Sequence, residues 1–140
     1  MRQHWPLLHG LRAGLRTERH VRLAVLFGST ATGEDTERSD VDLLVSHRRQ
    51  DGRALAPLRR RLEARLGRRV HLVRVDDARR SAALLADVLE EGRVVVDRDH
   101  CWPALVAERE HVVARAARQD ADALALAHAA VDAAQNRTER

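Results

Sequence analysis

The sequence predicts an α/β (α+β) chain: a mixed sheet of about four strands flanked by helices, with a long helix at the C-terminus. Three observations predict it. Short apolar runs rich in β-branched residues recur at 21–27, 40–46, 69–75 and 93–96. Between and around them, apolar residues return every three or four positions. Glycines stand at the joints, at Gly28, Gly33, Gly67 and Gly92.

Each element has its own signal. Residues 4–18 read as a helix, with Trp5, Leu8, Leu11 and Leu15 on one stripe. VRLAVLF (21–27) is a strand that ends at Gly28. Residues 29–33 make a short helical turn closed by Gly33, and 34–39 make a loop. DVDLLVS (40–46) is the second strand. Residues 53–66 form a helix whose face carries Leu55, Leu58, Leu62 and Leu66, and Gly67 stops it. RVHLVRV (69–75) is the third strand. Asp76 and Asp77 are placed to cap a helix that runs to Glu91 and ends at Gly92. Residues 93–96 are a short fourth strand. From Pro103 the pattern is helical, with an Ala-rich stripe of Val113, Ala116, Ala117, Leu124, Ala127, Val131 and Ala134, interrupted by Asp120. That stripe suits the chain's own domain or a partner. Residues 136–140 are expected to fray.

Composition narrows the function. A chain of 140 residues that is 44% hydrophobic can bury one core. At 33% charged, it has no uncharged window long enough to span a membrane. Arg2, His4, Trp5, Pro6 and Arg12 rule out the apolar centre of a signal peptide, so a cytoplasmic location is expected. The lone Cys101 excludes an internal disulfide and reads as an inert thiol, with only His100 beside it. The net charge is +4, and all 25 basic residues are Arg. That excess fits electrostatic binding of phosphate or nucleic acid. Interleaved acids and an aromatic content of 2% argue against nucleic acid.

The chemistry lies in LFGSTATGEDTERSDVDLLV, residues 26–45. Asp40 and Asp42 stand two apart in a strand, so both carboxylates leave one face while Val41 and Leu43 face the core. Two like charges there resist burial unless something compensates them. A hard divalent cation such as Mg²⁺ does so with oxygen ligands. Gly28-Ser29 follows the first strand and opens a helical turn. Gly admits close approach of the backbone, and N–H groups at a helix start favour phosphate. The ligand implied is a nucleoside triphosphate with Mg²⁺. The bland alternative is that Asp40 closes a Ser-Asp turn.

These residues resemble the nucleotidyltransferase superfamily that includes DNA polymerase beta, and within it the minimal nucleotidyltransferases of prokaryotes. There Gly-Ser is followed after about ten residues by Asp-x-Asp. Here Gly28-Ser29 is followed by Thr30 to Ser39 and then Asp40-Val41-Asp42. Gly33-Glu34 and Ser39-Asp40 also look like the minimal group. The resemblance covers residues 20 to about 97. It implies a nucleotidyltransferase domain over 1–100, with 101–140 as a C-terminal helical extension of it. It implies that Gly28, Ser29 and Ser39 hold the nucleotide and that Asp40 and Asp42 bind Mg²⁺.

One departure stands out. The family usually carries a third carboxylate on the next strand, often as Val-Asp-Leu-Val. Here the stretch is Val70-His71-Leu72-Val73. A neutral His71 can serve as a general base, but it is a poorer Mg²⁺ ligand. The bland reading makes it a polar strand residue. Asp76 and Asp77 lie beyond the strand and read better as caps.

Minimal nucleotidyltransferases are similar to antitoxins paired with all-helical HEPN ribonuclease toxins. The resemblance implies transfer of AMP from ATP to a tyrosine hydroxyl of such a toxin. With no Tyr in the chain, that acceptor must lie on another molecule. The alternative is a weakened or inactive antitoxin of the same fold that acts by binding its partner. A small-molecule (antibiotic) nucleotidyltransferase ranks lower, because the chain leaves little room for an acceptor domain. Arg65…His71 and Arg93…His100 match the toxin's own Arg–His spacing, but outside a helical bundle. Oligomeric state is left open.

Overall fold

A computed structural model describes residues 5–34, 38–49 and 52–138. The elements are α1 (Trp5–Leu15), β1 (Val21–Phe27), α2 (Ser29–Thr32), β2 (Val41–His47), α3 (Leu55–Leu66), β3 (Val70–Arg74), α4 (Val75–Ala78), α5 (Ala82–Glu91), β4 (Arg93–Asp97), α6 (Cys101–Ala107) and α7 (Arg109–Thr138). A 3-10 turn, Gly52–Ala54, leads into α3. The strands form one mixed sheet in the order β3-β2-β1-β4. β1 runs antiparallel to β2 and β4, and β2 runs parallel to β3. The expected α/β architecture is the observed one.

The central strands are buried on both faces, which explains their unbroken apolar runs. Val41, Leu43 and Val45 face a core shared with Leu11 and Leu15 of α1 and Leu58 and Leu62 of α3. Leu44, with Leu23 and Val25, faces a second core under Leu85 and Val88 of α5, Leu105 and Val112. Each such side chain contributes about 1.5–3 kcal/mol relative to exposure. No helix among the described residues is long and apolar enough to cross a membrane.

The structure corrects several boundaries. α1 stops at Leu15, not residue 18, because Arg98 holds its end. The guanidinium donates to the carbonyls of Leu15 (2.9 Å) and Glu18 (3.2 Å). β2 covers 41–47, so Asp40 stands just outside the ladder. Asp76 and Asp77 do not cap the long helix. They lie in the first turn of α4, and after a turn Ser81 caps α5 through Leu84 N–H. The last helices begin at Cys101, not Pro103, because the Asp97 carboxylate accepts from the N–H groups of Cys101 (2.8 Å) and Trp102 (3.0 Å). Met1 to His4, the Trp5 side chain, residues 35–37 of the loop, and Glu139 with Arg140 lie outside the described residues.

α7 departs most from its pattern. Val112 and Ala116 are buried, but Val113, Leu124 and Val131 of the Ala-rich stripe are exposed. Every residue from 117 to 138 is exposed while remaining helical. Among the described residues Gln119 makes the last hydrogen bond to the domain, its Oε1 accepting from Ala82 N–H at 3.1 Å. Ending the chain after Gln119 is therefore expected to lower stability by no more than about 1 kcal/mol. The urea midpoint of the shortened chain measures this, and a larger loss would show that the arm packs on the domain.

Candidate active site

The strand register assembles the site. Phe27 of β1 pairs with Asp42 of β2, and Asp42 pairs with His71 of β3. The end of β1 and the beginnings of β2 and β3 therefore meet at one rim of the sheet. Gly28 is the first residue past β1. Its backbone has φ 76° and ψ −158°, a region essentially reserved for glycine. A Cβ there would lie 2.7 Å from Asp42 Oδ2. Only a residue without a side chain lets this backbone lie against that carboxylate.

Ser29 follows as the first residue of α2. The turn is locked from beneath by Thr30, which is fully buried and donates its hydroxyl to Phe27 O at 3.3 Å. Gly33 closes it in the left-handed region, with its N–H on Ser29 O at 3.1 Å. On the other side of the loop, Arg68 grips the residue before Asp40. Its Nη2 and Nε donate to Ser39 O at 2.8 and 3.2 Å. Sequence reasoning missed Thr30 and Arg68. A chain this rich in Arg gives no local sign that Arg68 holds a loop 29 positions away.

Asp42 is partly buried, its side chain 28% exposed. Burial pushes its pKa above the ordinary carboxylate value, nearby His71 opposes this, and the Asp40 charge adds to the rise. His71 Nδ1 lies 3.4 Å from Asp42 Oδ1, and its side chain is 70% exposed. Asp40, at the strand mouth, is exposed. Among the described residues, no three His, Cys, Asp or Glu side chains converge as a metal cluster. The candidate donors, Asp40 and Asp42, are two carboxylates, hard oxygen ligands, and the Gly28 backbone lies against the second. That set fits Mg²⁺, which commonly takes one or two carboxylates together with substrate phosphates. Cys101 takes no part. Burial, with Asp97 and Asp99, pushes its thiol pKa up.

The fold has known counterparts. A chain of a toxin–antitoxin complex solved with AMP-PNP superposes with a TM-score of 0.67 at 21% identity, over 89% of this chain and 98% of that one. A chain of the MntA-HepT toxin–antitoxin complex gives 0.61 at 19%, over 94% and 99%. A chain of a Shewanella oneidensis complex, a tri-AMPylated HEPN toxin with its MNT antitoxin, gives 0.59 at 20%, over 94% and 99%. At these identities the likeness shows the fold. No curated protein matches the chain by sequence. The family model described as polymerase beta, nucleotidyltransferase matches residues 11–101, the stretch that holds every strand and both aspartates, and the chain belongs to that family.

Proposed function

We propose that the chain is a Mg²⁺-dependent nucleotidyltransferase that transfers AMP from ATP to a hydroxyl of a partner protein, and that it is an antitoxin that modifies and neutralises a HEPN ribonuclease toxin. One observation carries the reading: the Gly28 backbone lies against the Asp42 carboxylate, with His71 next in register. The likeness to complexes described with AMP-PNP and with a tri-AMPylated toxin supports it.

In this reading Gly28 and Ser29, with Ser39, seat the triphosphate. Asp40 and Asp42 hold Mg²⁺, which when bound offsets charge on the leaving pyrophosphate. With Nδ1 turned to Asp42, His71 presents Nε2 to the acceptor hydroxyl as the base. The hydroxyl oxygen attacks the α-phosphorus and an O–P bond forms. The bond from that phosphorus to the pyrophosphate oxygen breaks, and the hydroxyl proton moves to Nε2. His71→Ala is then expected to slow transfer about 10²-fold. His71→Asp, which supplies the carboxylate that the family usually carries, should hold or raise the rate. A wild-type rate in His71→Ala would remove this residue from the reaction.

The second reading, an antitoxin that acts by contact alone, is favoured by the two-carboxylate donor set. Intact-mass measurement of the protein encoded beside the chain, after incubation with the chain, ATP and Mg²⁺, separates the two. Added AMP units that vanish with Asp40→Ala plus Asp42→Ala support transfer. A stable complex with no added mass supports contact alone.

A further inference from the structure

The rim that carries His71 is also an open sheet edge. Among the described residues β3 is an edge strand, bonded to β2 alone. In the parallel ladder, Val41 N–H donates to Arg69 O, while Val70 N–H turns outward to Glu63 Oε2 at 3.0 Å. By this alternation the N–H and C=O of Leu72 also face away from the sheet. An edge strand that turns such groups away from its sheet is a template for an added strand.

Along the edge runs a groove of about 530 Å³ between β3 and α3. Leu55, Val70 and Leu72 give it an apolar wall, and Asp40 and His71 also line it. Arg59 and Arg69 stand on its lining. Arg59 meets Glu63 at 3.6 Å, a loose contact between partly exposed groups that is worth little. The groove therefore offers backbone partners, an apolar wall and positive charge, and the base assigned above is among its lining residues.

We propose that this edge docks the acceptor: an extended, acidic segment of the partner protein adds to β3 as a fifth strand. The proposal rests on the transfer reading above. Side chains alternate across a sheet. A residue of the added strand opposite His71 would project on the His71 and Asp42 face, where its hydroxyl meets the base. Its neighbours would project to the other face, against Leu55, Val70 and Leu72. Acidic residues of the segment would meet Arg59 and Arg69. Main-chain pairing supplies affinity, and the groove supplies the choice of sequence.

Two measurements test this with the full chain and the protein encoded beside it as the partner. In amide exchange without ATP, the Leu72 N–H should slow at least tenfold when the partner binds. In steady-state transfer, Arg59→Glu plus Arg69→Glu should raise the KM for the partner at least tenfold. The KM for ATP and the rate at saturating partner should stay unchanged. An unprotected Leu72 in a formed complex overturns the proposal. So does a charge-reversed chain that loses affinity for ATP instead, because the groove would then hold the nucleotide. If the wild-type chain transfers no AMP, the transfer reading fails on its own. The exchange result then still decides whether β3 takes a strand.

Discussion

Asp42→Asn is expected to lower AMP transfer by more than about 10²-fold while the protein melts at the wild-type temperature or above it. The two effects share one cause. Burial and the Asp40 charge raise the Asp42 pKa, so the folded chain disfavours the ionised carboxylate. An acid whose folded pKa is raised costs stability once the pH exceeds its unfolded value. Asparagine keeps the shape and removes that cost, while removing the charge that the reaction needs. His71 works against the rise, so the gain in stability should be small. Thermal melting and the mass assay, run on one preparation, test both halves. A variant that transfers AMP at the wild-type rate would refute the site assignment. One that is inactive and much less stable would make Asp42 a structural residue.

Gly28→Ala should damage both properties. An alanine at φ 76° and ψ −158° is strained by about 1–3 kcal/mol. Its Cβ would also press on Asp42 Oδ2 from 2.7 Å, and relief requires the carboxylate or the turn to move. Displacement of a reacting group by about 1 Å commonly costs about 10²-fold in rate. The unfolding free energy from urea titration and the transfer rate should therefore fall together. Pairing this change with Asp42→Ala removes the clash but not the backbone strain, so part of the stability should return. Full stability and activity in Gly28→Ala would show that the turn adopts another conformation at no cost.

The parts legible in the sequence are those set by local chemistry. Gly33 and Gly67 close their helices as expected, in the left-handed region. VRLAVLF and the run after Asp40 are strands because β-branched residues suit a sheet buried on both faces. The meeting of Gly28 and Asp42 needs only that their two strands be neighbours. What escaped depends on contacts far apart in sequence. Arg98 ends α1 from 83 positions away. Two adjacent aspartates gave a stronger cap signal than Ser81, yet the chain turns after α4 and Ser81 caps α5. The register that sets His71 beside Asp42, and the alternation that opens the β3 edge, follow from pairing that periodicity does not specify.

The bare end of α7 has an energetic consequence. At about 1.5 Å per residue, the segment from 120 to 138 reaches about 28 Å past Gln119. Most helical stability in proteins comes from tertiary packing of an apolar face, which this segment lacks on its own domain. The arm displays Leu124, Leu126 and Val131 to solvent, with Leu126 72% exposed. Any surface that covers them orders the helix in the same event. Its association would then carry the large negative heat-capacity change of coupled folding and binding, with part of the contact energy consumed in ordering the helix.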